Sequence, residues 1–422
     1  MKDTGCFDYQ VTRRRMLQAT GASILGMPVA KLLAASGQAE AAAKAEHVIL
    51  FWNGGGMSHV DTWDPKPGRP VQGEFSAIDT SADGIQISSI FPNLAKQMHH
   101  CSLIRSIAGT NGAHGRATYE LQTSYNMDPS LIHPGLGSIV VHEKNRMGDL
   151  PSFITINGQA AKSGYFGQSC AAYFIGEPGE KDPYLSFPAG ITNARGNKRL
   201  DLLAKMNARA TKKSGVVDFK ATDTSIKEAV SLMKSPALKV FDLDKEKPDT
   251  LARYGDSDFG RGALLARKLV ETGVRFVQVN RGGFDTHSNN FPAMENHALE
   301  MDPALASLVE DLAAPGKLES TLVLVLSEFG RTPRINSNAG RDHHARCFSC
   351  LFAGGGVKGG KVIGASDKDA MEPADRPVKP SDIHATVCHA LGIDHEKEVY
   401  TPQDRPMVLV REGAEPVHEL FG

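Results

Sequence analysis

His47-Val48-Ile49-Leu50-Phe51-Trp52-Asn53-Gly54-Gly55-Gly56 is the stretch that decides the fold. The run from His47 to Trp52 shows no polar alternation, so it reads as a strand buried on both faces, and the glycines after it read as a loop leaving the sheet. Such a strand needs helices above and below, which points to an α/β architecture with a mostly parallel sheet. The rest of the chain repeats the pattern. A helix starting near Pro92 precedes a strand at Ser102 to Ile107. Arg261 to Glu271 has helical periodicity, closes at Gly273 and passes into an extended run from Val274 to Val279. A helix through Leu305 to Leu312 feeds a strand from Thr321 to Leu326, and a last helix, Asp382 to Leu391, stops at Gly392. Helix followed by apolar strand is the signature of helices flanking a central sheet.

Composition limits the alternatives. The 422 residues carry Lys+Arg 47 against Asp+Glu 48, net -1, so no basic excess exists to neutralise a nucleic-acid backbone. With 41% hydrophobic and 23% charged residues the chain is an ordinary globular protein, neither disordered nor a multi-spanning membrane protein.

The first 45 residues read as an address. Thr12-Arg13-Arg14-Arg15-Met16-Leu17-Gln18 is followed by a mildly apolar stretch, Ala19 to Ala35, and by small-residue sites at Ala39-Glu40-Ala41 and Ala43-Lys44-Ala45. The paired arginines resemble the twin-arginine signal, which exports proteins already folded and implies a periplasmic or extracellular location with the export machinery as partner. Gly21, Gly26, Pro28 and Lys31 make the stretch a poor membrane span. Cleavage after Ala45 leaves a mature chain with net charge about −4 and five scattered cysteines, which is no disulfide framework. The mature chain is expected to be one domain, 46–422, with the Lys/Asp/Ala-rich stretch from about 158 to 255 read as a cap or insertion.

Two motifs fail. Gly354-Gly355-Gly356-Val357-Lys358-Gly359 and the overlapping phosphate-loop spacing both need a helix next, whereas Lys361-Val362-Ile363-Gly364 reads as extended, and the two extended pieces suggest a hairpin. Cys347-Phe348-Ser349-Cys350 is a lone pair on an apolar segment and reads as packing.

Four clusters carry chemistry. Asp285-Thr286-His287 follows a strand, and residues two apart on extended backbone point to the same side, where carboxylate and imidazole can grip one cation. His59-Val60-Asp61 repeats that spacing after the first strand. Ser327-Glu328-Phe329-Gly330-Arg331-Thr332-Pro333 follows the Thr321 strand, and Gly340-Arg341-Asp342-His343-His344 lies on a loop. In open α/β sheets the site lies beyond the carboxyl ends of the strands. Carboxylate and imidazole without thiolate suit a divalent metal such as zinc, manganese, iron or calcium, and Arg331 and Arg341 are planar forks for a sulfate or phosphate.

At these residues the chain resembles the twin-arginine-exported, sulfatase-like family catalogued as domain of unknown function 1501, within the alkaline phosphatase and sulfatase superfamily. The likeness also runs through Gly55-Gly56-Met57-Ser58-His59-Val60-Asp61-Thr62-Trp63-Asp64-Pro65-Lys66, Arg105-Ser106, Ala266 to Phe276, the glycines at 354–360, and Leu391-Gly392-Ile393-Asp394. It implies an alkaline-phosphatase-like central sheet and a two-metal centre with a hydroxyl or formylglycine nucleophile, acting on a sulfate or phosphate ester. Asp285, His287 and His343 match one metal, with His59, Asp61 and Glu328 as further ligand candidates. Asn53 and Phe329 depart from the pattern for the other metal. Cys101-Ser102-Leu103-Ile104-Arg105 lacks the sulfatase proline and is rejected as a nucleophile motif. Thr110 is the nearest hydroxyl, ahead of Ser106. Without a nucleophile, water would attack directly, with His114 or His59 moving the proton. A second expectation is a non-catalytic protein that binds a sulfated polysaccharide or an envelope partner.

Overall fold

The computed structural model describes residues 44–179, 190–214 and 232–422. The signal-like segment falls outside the described residues up to position 43, as do parts of the stretch read as a cap.

Among the described residues the central sheet has eight strands. These are β1 (His47–Asn53), β4 (Cys101–Ile107), β5 (Phe153–Ile156), β6 (Tyr173–Ile175), β7 (Phe276–Arg281), β8 (Thr321–Leu326), β11 (Phe348–Gly354) and β12 (Lys361–Ile363). Their order is β12-β4-β11-β8-β1-β7-β5-β6. Short two-stranded ribbons lie outside it: β2 (Ala77–Asp79) with β3 (Gln86–Ser88), β9 (Gly330–Arg331) with β10 (His343–His344), β13 (Ala365–Ser366) with β14 (Pro373–Asp375), and β15 (Glu398–Tyr400) with β16 (Pro406–Val408).

β1 sits in the middle, parallel to β7 on one side and β8 on the other, and every one of its residues is buried. Its side chains alternate between the two cores. Ile49 and Phe51 join one apolar cluster, while Val48, Leu50 and Trp52 join the other. The first core packs against α6 (Asp258–Glu271) and α7 (Asn290–Ala313); the second packs against α3 (Leu136–Glu143) and α8 (Pro380–Leu391). Further helices among the described residues are α1 (Pro92–Ala95), α2 (His114–Thr123), α4 (Asn193–Ser214) and α5 (Pro248–Tyr254). A two-faced apolar strand covered by helices on both sides is what the unbroken Val48 to Trp52 run requires.

Helix ends follow local chemistry. Ser257 caps α6 by accepting from the Gly260 N–H at 3.1 Å, and α8 stops where Gly392 takes a left-handed conformation, φ 67°.

β11 alone runs against the other strands of the sheet. The cause is local: β8 delivers the chain to the carboxyl edge, residues 327–347 stay there as the β9–β10 ribbon and its loops, and β11 then leads back. The expected glycine-rich hairpin does not form. β12 pairs in parallel with β4, and β4 lies between β12 and β11, so the glycines at 354–360 carry the chain across a neighbouring strand. β6 joins the sheet edge beside β5, so the stretch read as a cap also contributes a strand.

Cys101, Cys170, Cys347, Cys350 and Cys388 are all buried and free. Burial pushes the thiols of Cys101, Cys347 and Cys388 up to about 12. No helix among the described residues is long and apolar enough to cross a membrane.

Candidate metal centre

The loops leaving β1, β4, β7 and β8, together with the β9–β10 ribbon, meet at the carboxyl edge of the sheet. The turn after β1 makes the meeting possible. Gly55 (φ 117°) passes so close to the β7 loop that a Cβ there would lie 2.6 Å from the Asp285 backbone nitrogen, and a Cβ on Gly56 would lie 2.5 Å from the Phe329 ring. Gly340 does the same for the ribbon: a Cβ on it would lie 2.0 Å from the His287 carbonyl oxygen.

Four side chains converge there. Asp285 Oδ1 lies 3.0 Å from His287 Nε2 and 3.1 Å from His343 Nε2, and Asp285 Oδ2 lies 3.4 Å from His114 Nε2. His287 Nε2 and His343 Nε2 stand 3.0 Å apart. Ligating atoms of His114, Asp285 and His343 all fall within 4.8 Å of one another.

Each imidazole is fixed through its other nitrogen. His287 Nδ1 is 2.8 Å from Asp342 Oδ1, His343 Nδ1 is 2.7 Å from the Gly112 carbonyl, and His114 Nδ1 is 2.8 Å from Glu328 Oε1. Carboxylates and carbonyls only accept, so each Nδ1 donates to its partner, and each ring turns its Nε2 toward the Asp285 carboxylate. His287 Nε2 and His343 Nε2, 3.0 Å apart beside the Asp285 carboxylate, are spaced as two imidazole ligands of one ion would be. His114 Nε2 is itself buried without a hydrogen-bond partner. Ligand atoms held tetrahedrally at zinc distances are separated by roughly 3.3 Å, close to what is found here. The residues therefore fit one cation.

Asp285 is ready to serve as an anion. Partial burial alone would raise its carboxyl, but the Arg331 guanidinium, with His343 and His114, outweighs this and holds it at about 2. The hydrogen bond from His287, reinforced by Asn336, likewise holds the Asp342 carboxyl below its ordinary value.

The other sequence candidates are placed differently. Asp61 is fully buried and takes a two-pronged ion pair from Arg341, Nε to Oδ2 at 2.8 Å and Nη2 to Oδ1 at 3.0 Å. Ser58 Oγ and Asn290 Nδ2 also donate to Asp61, at 2.6 and 2.9 Å. Asp61 is thus saturated by donors away from the cluster, and Arg341 is as buried as its partner, so neither reaches a metal or a substrate oxyanion. Arg331 is also fully buried. It donates to the carbonyls of Gly55, Gly56 and Arg341 and to Asp285, which makes it a brace for the carboxylate and leaves no free face for an anion. His59 stands apart, with Nε2 3.0 Å from the Ala370 carbonyl and its ring stacked on His344; burial lowers it to about 4.

Glu328 touches no Nε2 and instead receives His114 Nδ1 and the Gly55 N–H, each at 2.8 Å. Thr110 is exposed on the loop between β4 and α2, two residues before Gly112. His114, read from sequence as a proton-transfer group, stands among the ligand atoms. Asp342 was not singled out in the sequence, although its place directly before His343 was the available signal.

Several solved structures are similar at low identity. The PsFucS1 sulfatase from Pseudoalteromonas sp. matches at 14% identity over 87% of this chain and 71% of that chain, TM-score 0.39. Ps i-CgsB in complex with k-i-k-neocarrahexaose matches at 12% identity over 83% and 73%, TM-score 0.41. The C-terminal periplasmic domain of EcEptC from Escherichia coli, in complex with Zn, matches at 10% identity over 90% and 96%, TM-score 0.39. No curated protein matches the chain. The pattern of the family described as protein of unknown function DUF1501 matches residues 45–421, and the chain belongs to that family.

Proposed function

We propose that the protein is an exported, metal-dependent hydrolase of a sulfate or phosphate ester. The observation that carries this is the convergence of His287 Nε2 and His343 Nε2, 3.0 Å apart, on the Asp285 carboxylate. Asp285, His287 and His343 would hold the cation, with His114 completing the set. An imidazole-rich donor set favours zinc or another transition metal over calcium, which prefers oxygen alone. When bound, such an ion supplies Lewis-acid polarisation of an ester oxygen.

The chain's own groups supply the rest. Asp342, Glu328 and the Gly112 carbonyl keep the three imidazoles in one tautomer. α2 begins without a side-chain cap at Ala113, so the first peptide N–H groups of this helix, beside His114, are available to an anionic ester oxygen. That arrangement takes over the role expected of Arg331 and Arg341. Thr110 remains the candidate hydroxyl on the same loop; otherwise water adds to sulfur or phosphorus and the alcohol departs. The sulfatase-like resemblance of the sequence supports the ester class, and the twin-arginine-like segment supports export.

A second reading, a metal-holding protein that binds a sulfated polysaccharide without turning it over, is favoured by one observation: both arginines of the site are engaged internally. Metal content of the mature protein, with turnover of aryl sulfates, phosphate monoesters, diesters and phosphonates, separates the two. The hydrolase is expected to turn over at least one class, and Asp285→Ala to abolish both turnover and metal. Tightly bound metal without turnover supports the binding protein, and a metal-free, inactive wild type removes the hydrolase.

A further inference from the structure

We infer that the centre takes a single cation per chain, and that Glu328 acts on that cation through His114 instead of helping to hold a second ion. The inference rests on the metal reading above and concerns the space beside it, where the superfamily resemblance implies another metal.

The residues in that space do not fit one. Asn53, at the end of β1, is a fully buried neutral amide: its Nδ2 points to the Met57 sulfur at 3.2 Å, and its unpartnered Oδ1 offers one uncharged oxygen where the superfamily pattern has a carboxylate. Phe329 puts an apolar ring, fully buried, 4.9 Å from the His114 ring and 4.8 Å from the His343 ring, centroid to centroid. Glu328 supplies a carboxylate on that side, and its Oε1 is already engaged. Oε1 receives the Gly55 N–H and His114 Nδ1, both at 2.8 Å, and Oε2 lies 3.1 Å from the Ser327 Oγ. Ser327 is itself tied down, donating to the Asn53 carbonyl at 2.6 Å and accepting from the Met57 N–H at 2.9 Å. A second ion would compete with the donors on Oε1 and would find, beside Glu328, one uncharged amide oxygen and a phenyl ring, too few charged ligands to offset its desolvation.

The same bonds give Glu328 a different role. A carboxylate on the Nδ1 side of an imidazole fixes its tautomer, aims its Nε2 and raises its basicity as a ligand. Glu328, anchored by the Gly55 N–H from the β1 loop, does this for His114. It is a positioning residue for the cation that His114 meets.

The test is titration of the metal-stripped mature protein with zinc by calorimetry and with cobalt(II) by absorption. The wild type is expected to saturate at one equivalent. Glu328→Gln is expected to keep one equivalent and the wild-type melting temperature, to lose roughly ten- to a hundredfold in zinc affinity, and to shift the visible bands of bound cobalt. Two equivalents in the wild type, or a drop from two to one in Glu328→Gln, would overturn the inference. An unchanged affinity and cobalt spectrum in the variant would overturn the role of Glu328. No binding in the wild type would remove the metal reading itself, a result distinct from the others. The wild-type stoichiometry stands as a test even if the variant fails to fold.

Discussion

Arg341 and Asp61, 280 positions apart in the chain, meet with no exposure to solvent, and the guanidinium clasps both carboxylate oxygens. Removing one partner strands the other charge in the interior, which costs roughly 3–5 kcal/mol. Asp61→Ala is therefore expected to lower unfolding free energy by that order in a urea titration. At temperatures where it remains folded, its zinc stoichiometry should match the wild type. Loss of zinc without loss of stability would return Asp61 to the metal.

Asp342 is bonded to His287 on the side away from the cluster. Asp342→Ala leaves that imidazole free to change tautomer and turn, so zinc affinity should fall by roughly ten- to a hundredfold while the melting temperature changes little. Competition with a chromophoric chelator measures this, and an affinity equal to the wild type would show that Asp342 is a bystander.

Two buried histidines set an acid limit on stability. Burial lowers His59 and His384 from 6.5 to about 4. Each is neutral when folded and gains a proton when unfolded below about pH 6.5, so its contribution is complete above that value and is lost as the pH falls towards 4. The wild type should lose stability across that window, and His384→Gln should flatten the slope. Thermal melts at half-unit pH steps decide it; equal slopes in the two proteins would contradict the assignment.

The export reading makes a prediction at the other end of the chain. Ala45 is buried and its N–H donates to the Ala390 carbonyl at 3.0 Å, so cleavage after Ala45 would remove a packed residue. The site after Ala41 would spare it. N-terminal sequencing of exported protein is expected to read from Ala42, and replacing Arg13 and Arg14 together by lysine should stop export. Secretion undiminished in that double variant would argue for another route.

The sheet could be read from the chain because its signals are local. Val48 to Trp52 and Thr321 to Leu326 are apolar at every position but one, and unbroken burial leaves no other pattern. β12 was misread because its partner, β4, lies about 260 positions earlier, and nothing in Lys361 to Ile363 encodes that neighbour. The site divides the same way. Asp285, His287 and His343 were legible from spacing and resemblance. The fate of the arginines was not, since Arg331 and Arg341 look alike in sequence as free forks. What withdraws them from solvent is the folding of distant carbonyls and carboxylates around them. His114 was seen without its true neighbour, because Glu328 comes from 214 positions away.

The five buried cysteines have a consequence for how the protein is made. With no bridge among them and their thiols held protonated by burial, the described domain reaches its native state without an oxidant, an oxidoreductase or any order of bond formation.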